Sequence, residues 1–176
     1  MSASSESIGP IIQFSYVVAD LDRAIAHWAE TLGVAPFFVM AHVPYKTCLF
    51  RGEPTDLDMS VALAYSGGVQ VELVQQHNQA PSIFREFLDQ RGEGLQHVGT
   101  IVDDLAASLA NFAGQGIFPV QEGEAENGTL FAYMDTDRIP GTMLELFQLP
   151  AKIASAFDYM KQASCKWNPG DPIRRG

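Results

Sequence analysis

Apolar residues in this chain follow two rhythms, short β-branched or aromatic runs and stretches in which they recur every three or four positions. The first run, IIQFSYVV at residues 11–18, predicts a buried strand. Leu21, Ala24, Ile25, Trp28 and Leu32 then recur at helical spacing, with Asp20 at the N-cap position and Gly33 placed to end the helix. A strand over 37–42 and a looser segment over 46–50 come next, followed by a hairpin of 59–65 and 69–75 joined through Ser66, Gly67 and Gly68. The order reads β-α-β-β-β.

That order then recurs. QHVGTIVDDL at 96–105 repeats the character of IQFSYVVADL at 12–21, and each phrase leads into an amphipathic helix. In the second copy a strand over 95–102 precedes a helix carrying Leu105, Leu109 and Phe112, capped by Asp103 or Asp104 and stopped by Gly114 and Gly116. Strands over 117–121, 130–135 and 142–148 complete it, with 137–141 as the last turn. The expected organisation is an α+β fold: a loose tail (1–10), a first βαβββ unit (11–78), a linker helix (79–94), a second unit (95–149), then a C-terminal helix and tail (150–176). The second copy is shorter by about eleven residues, lost in its surface connections, where such changes leave a sheet intact. The C-terminal helix, through Ile153, Ala154, Phe157 and Met160, is expected to cover a sheet or join a subunit interface.

Composition narrows the function classes. A formal charge of −10 and a pI near 4.6 argue against nucleic acid, which needs a basic surface. No apolar run is long enough for a membrane span, and MSASSESIG lacks the features of a signal peptide. Cys48 and Cys165 have no ligand or redox spacing and read as unpaired thiols of a cytoplasmic protein.

Candidate chemistry sits at equivalent places in the two copies. VQVELVQ (69–75) and TMLELFQ (142–148) each set a Glu among apolar strand residues, so Gln13 and Glu72 in the first copy correspond to His97 and Glu145 in the second. Gln13, Glu72, His97 and Glu145 are candidate ligands for one divalent ion. Two carboxylates offset its charge, and the oxygen-rich set suits Zn, Ni, Co, Mn or Mg. Such an ion is a Lewis acid for a carbonyl, and Glu145 or Glu72 would carry the α-proton. The bland readings stay open: His97 as a hydrogen-bonded structural residue, both Glu side chains on a solvent face, and Gln13 as an edge amide. His27, His42 and His77 show no partner at ligand spacing and read as surface or loop residues. Phe14, Tyr16, Phe38, Tyr45, Phe131, Met134 and Met143 are candidate core or cleft-wall residues.

On these residues the chain, over roughly 11–148, resembles the vicinal oxygen chelate superfamily, which includes glyoxalase I, methylmalonyl-CoA epimerase, extradiol dioxygenases and bleomycin-resistance proteins. The resemblance implies two βαβββ units paired into a curved mixed sheet, with a metal in the cleft on ligands from the first and last strands of each unit. Gln13, Glu72, His97 and Glu145 occupy those positions. The set looks most like animal-type glyoxalase I. Epimerases more often carry His first and Gln where Glu72 stands, and extradiol dioxygenases a second His. The resemblance implies a metal-dependent lyase or isomerase acting on a small carbonyl compound or acyl thioester, and homodimerisation. The alternative is a non-catalytic small-molecule-binding or resistance protein of the same fold. Glyoxalase I also needs cations for glutathione carboxylates, and Arg23, Arg51, Arg85, Arg91 and Arg138 are the arginines in or beside the units. Whether the cleft forms within one chain or between two is left open.

Overall fold

Strict alternation along the strands divides the side chains between two faces of one sheet, each covered by helices. The computed structural model describes residues 8–136, 142–167 and 171–175. The turn expected at 137–141 lies outside them, as does most of the expected N-terminal tail.

The chain begins with β1 (Gln13–Val17) and α1 (Leu21–Leu32). Asp20 caps this helix by accepting a hydrogen bond from the Arg23 N–H at 2.9 Å, and Gly33 closes it in the left-handed conformation (φ 67°). Next come β2 (Phe37–Met40), β3 (Tyr45–Phe50), β4 (Glu53–Pro54), β5 (Met59–Ser66) and β6 (Val69–Gln76). Helix α2 (Ile83–Arg91), capped by Ser82, leads to β7 (Gly94–Ile101) and to α3 (Leu105–Ala113), capped by Asp104. β8 (Pro119–Ala125), β9 (Leu130–Met134), β10 (Met143–Gln148), α4 (Ala151–Ser164) and β11 (Ile173–Arg175) complete the order.

Among the described residues eleven strands join in the order β11-β2-β5-β6-β1-β7-β10-β9-β8-β3-β4. The halves meet at the centre, where β1 runs antiparallel to β7, and in each half the first strand lies parallel to the last, β1 beside β6 and β7 beside β10. β3 departs from the expected consecutive arrangement. It leaves the first half and pairs with β8 at the far edge, while β2 is held by β5 on one side and β11 on the other. Gly123 permits that approach: a Cβ there would stand 2.2 Å from the Thr47 carbonyl oxygen.

Two cores form on the outer face. Ile25 and Leu21 of α1 pack on Ala62, Ala64, Val71 and Leu73, while Leu105 of α3 packs on Val98, Ala132 and Leu146. The inner face carries a third core, in which Val61 and Leu63 of β5 share a cluster with Phe131 and Tyr133 of β9. In a flat sheet those strands, five spacings of about 4.8 Å apart, would be separated by roughly 24 Å, so the sheet curls to bring them together. α2 fills one part of this interior with Ile83 and Phe84, and α4 sends Phe157 and Met160 against it.

Described residues near both ends of the chain are tied to the sheet. Thr100 Oγ1 donates to the Ile8 and Pro10 carbonyls, and residues 173–175 add β11 to β2 in parallel. Among the described residues, no helix is long and apolar enough to cross a membrane. Cys48 is buried, Cys165 is exposed, and neither is in a disulfide.

Candidate active site

Strand parity delivers the site. Ser15 of β1 lies opposite Glu72 of β6 on one side and His97 of β7 on the other, while Gly99, two residues along β7, lies between Gln13 and Glu145. Side chains at these positions share the inner face, so the open question of solvent or interior is answered: Glu72 is 9%, His97 0% and Glu145 7% exposed. His97 Nε2 stands 3.3 Å from Glu72 Oε2 and 3.3 Å from Glu145 Oε2.

Neighbours orient each group. Gln96 Oε1 accepts from His97 Nδ1 at 2.6 Å, which leaves Nε2 to face the carboxylates. Ser15 Oγ donates to Glu72 Oε2 at 2.5 Å. Tyr133 lies opposite Glu145 on β9, its ring 5.0 Å from that of His97. Gln13 donates to Gln70 Oε1 at 2.8 Å, and Gln70 donates in turn to the Tyr65 hydroxyl at 3.0 Å. With its NH₂ so engaged, Gln13 is left with Oε1 buried and unpartnered, and this oxygen stands 2.5 Å from where a Cβ on Gly99 would be. Glycine at 99 therefore keeps the centre of the site open.

Charge is concentrated here at a cost. Burial alone would drive the His97 imidazolium down, but Glu145 and Glu72 outweigh it and hold its pKa up at about 9. Burial raises Glu145, with the nearby Glu72 adding to the effect and His97 opposing it, and burial pushes the Tyr133 hydroxyl well up.

This arrangement fits a divalent ion. His97 Nε2 has two ionic neighbours but no directed hydrogen bond, so with Gln13 Oε1 it makes two unsatisfied buried atoms in one site. Ligands about 2.0–2.2 Å from one metal lie about 3.0–3.5 Å from each other, the spacing His97 keeps from both carboxylates. Glu72, His97 and Glu145 each offer a ligand atom within 4.8 Å of the others.

A cavity of about 120 Å³ opens onto the group, with Gln13, Glu72 and Glu145 in its wall. Met59, Leu63 and Phe147 of the sheet and Ile153 and Phe157 of α4 make much of the wall apolar, and no Lys or Arg lines it among the described residues. Gln121 also lines it. Its Oε1 accepts from the Ile83 N–H at the start of α2, so its amide Nε2, buried and unpartnered, is a fixed donor.

The sequence profile of the glyoxalase/bleomycin resistance protein/dioxygenase superfamily matches residues 12–133. The chain belongs to that superfamily. Among solved structures, methylmalonyl-CoA epimerase from Mycobacterium tuberculosis is 24% identical with a TM-score of 0.61, covering 88% of this chain and 97% of its own. A Streptomyces coelicolor methylmalonyl-CoA epimerase variant in complex with 2-nitronate-propionyl-CoA is 17% identical with a TM-score of 0.55, covering 82% and 100%. A methylmalonyl-CoA epimerase in complex with methylmalonyl-CoA and NH₄⁺ gives 17% and 0.55, covering 82% and 97%. These likenesses establish the shared fold. No curated protein matches the sequence.

Within this member of the glyoxalase superfamily, Glu72, His97 and Glu145 come from one chain, so the site needs no second copy to bring them together. Of the seven candidate wall residues, Tyr45 and Phe131 line the cavity. Tyr16 instead packs on Trp28 of α1, Met134 lies in the α3 core, Phe38 meets Tyr159 of α4 and Phe14 is partly exposed. Met143 lies beside Gln96, its Sδ 3.3 Å from the amide. On β1 the parity that turns Gln13 inward turns Phe14 and Tyr16 outward. Sequence reading missed Ser15, Gln96, Gln121 and Tyr133; parity could have flagged Ser15, two residues from Gln13. It also missed that His42 and His77 gather around Asp58. Four of the candidate arginines have partners elsewhere: Arg23 pairs with Glu93, Arg51 with Glu86, Arg85 binds the Asn78 carbonyl and lies 3.8 Å from Asp89, and Arg91 lies over the Phe87 ring. Arg138 lies outside the described residues.

Proposed function

We propose that this protein is a metal-dependent lyase or isomerase that moves a proton at the carbon α to a carbonyl, in a glyoxalase I-like or acyl-CoA epimerase-like reaction. The observation that carries the reading is the buried His97 Nε2 poised between the Glu72 and Glu145 carboxylates beside the bare Gln13 oxygen. A divalent ion (Zn, Ni, Co, Mn or Mg) on Gln13, Glu72, His97 and Glu145 would supply Lewis acidity to the substrate carbonyl.

Glu145 is the proposed base. As a ligand on the last strand of the second unit, Glu145 would loosen from the ion to take the α-proton and return it, with Tyr133 opposite it on β9. Glu72, tied by Ser15, is the second carboxylate and candidate proton carrier on the opposite unit. Gln121 Nε2 is a donor for a substrate oxygen. The cavity, about 120 Å³, is close to the ~150 Å³ that accommodates benzene, which gives room for a small reacting group. Among the described residues its wall contains no cation for a carboxylate, which favours an uncharged carbonyl or acyl thioester end over the charged end of a glutathione adduct. Acyl-CoA in the complexes of fold neighbours supports the thioester class.

The test is exchange of a substrate α-proton with D₂O, followed by NMR over aldehyde, α-hydroxyketone and acyl-CoA panels. Exchange should require added metal and be lost in Glu145→Gln. Metal-independent exchange, or exchange that survives this substitution, would reject the assignment. The apolar wall favours one rival, a binding protein for an apolar small molecule, which predicts tight binding with no exchange under any metal.

A further inference from the structure

A second cluster of metal-ligating side chains lies outside the site described above. β2, β5 and β6 come together at one end of the β5–β6 hairpin. Met59 pairs with Gln76, so the flanking Asp58 and His77 face each other, joined by the His77 N–H donating to the Asp58 carbonyl at 2.8 Å. After β2 the chain turns at His42, a non-glycine residue in the left-handed region (φ 50°), and its N–H donates to Ser60 Oγ at 3.1 Å. This turn brings the His42 ring over that of His77, centroids 4.7 Å apart and planes 34° from parallel.

We propose that His42, Asp58 and His77 form a further, exchangeable site for a borderline divalent transition-metal ion such as Zn²⁺. A nitrogen of each imidazole and a carboxylate oxygen of Asp58 lie within 4.8 Å of one another. His42 Nδ1 is 2.6 Å from Asp58 Oδ1, and His77 Nε2 is 2.7 Å from Ser60 Oγ. Two imidazoles and one carboxylate make a set that favours Zn, Ni, Co or Cu over Ca or Mg, which prefer all-oxygen surroundings. The set is drawn from three separate segments, so ligation ties them together. Both histidines are exposed and Asp58 is half-buried, which leaves remaining positions to water and makes the ion exchangeable. The strongly acidic chain favours cation uptake.

This cluster is independent of the Glu72 group. Glu72 pairs with Leu63, five residues from Asp58 along the strand, or about 16 Å at ~3.3 Å per residue. Val43 and Met59, next to His42 and Asp58, line the cavity. An ion here would pin the turn after β2 to the hairpin at the edge of the cavity.

Zn²⁺ titration by calorimetry tests the site in the full-length chain and in a His42→Gln, His77→Gln variant, each also carrying Glu145→Gln to weaken the other group. The double replacement should remove one equivalent of bound Zn²⁺. Unchanged stoichiometry and affinity would overturn the proposal. A second readout needs no variant: ¹⁵N spectra of the imidazoles during Zn²⁺ addition to the unaltered protein. His42 and His77 should shift together at low Zn²⁺ while His27, on α1, does not. Absence of shifts, or His27 responding in parallel, would mean adventitious surface binding only and reject the site.

Discussion

Gly99 shows how much a single position decides. It lies between Gln13 and Glu145 in register, and a methyl group there would meet Gln13 Oε1 at 2.5 Å and Phe147 Cε1 at 2.9 Å. Both neighbours are held by packing or hydrogen bonds, so Gly99→Ala should destabilise the fold by about 1–3 kcal/mol, the usual range for overpacking. It should also weaken metal uptake, measured by chelator competition, because Gln13 must move; unchanged stability and affinity would count against this account of the site. His97 supports a prediction in pH. Its pKa near 9 in the metal-free protein means that the ring is protonated at pH 7, and a ligating nitrogen must lose that proton. Zn²⁺ added to metal-free protein at pH 7 should release a proton from His97, seen in weakly buffered solution, and this release should fade as pH rises through about 9. Gln121→Leu removes a donor without touching the carboxylates, so metal content should hold while KM rises.

At the scale of elements, α2 joins the two halves and also braces the site. Phe84, 1% exposed, packs its ring 5.6 Å from Tyr133 and 6.4 Å from His97. Phe84→Ala should cost about 3–5 kcal/mol in denaturant unfolding, as expected when a buried aromatic leaves a cavity. The elements that sequence reading placed best are those with local signals. Asp20, Gly33, Ser66-Gly67-Gly68 and the Leu105 face act within a few residues of themselves, so caps, turns and periodicity expose them. β3 and β11 were harder for the opposite reason. β3 was read as a loose strand within its own unit, yet its partner is β8, more than seventy residues away, and nothing local in YKTCLF names that partner. β11 is three residues, Ile173–Arg175, just after Pro172 and two-thirds charged, paired to the edge of β2.

Across the whole molecule, the curl of one sheet brings both halves around a shared interior, and every proposed ligand belongs to one chain. Mixing Glu72→Gln with His97→Gln protein, each inactive, should therefore restore no exchange activity. Recovery on mixing would mean that copies share a site. The amino-acid sequence by itself determined the duplication, the helices and their caps, and the candidacy of Gln13, Glu72, His97 and Glu145, because these follow from periodicity and short motifs. Only the tertiary structure decided that Glu72 and Glu145 point inward, that Ser15 and Gln96 orient the group with Tyr133 packed beside it, and that His42 and His77 meet at Asp58. Those facts depend on strand register and sheet curvature, which arise from pairings between residues far apart in the chain and leave no trace in local pattern.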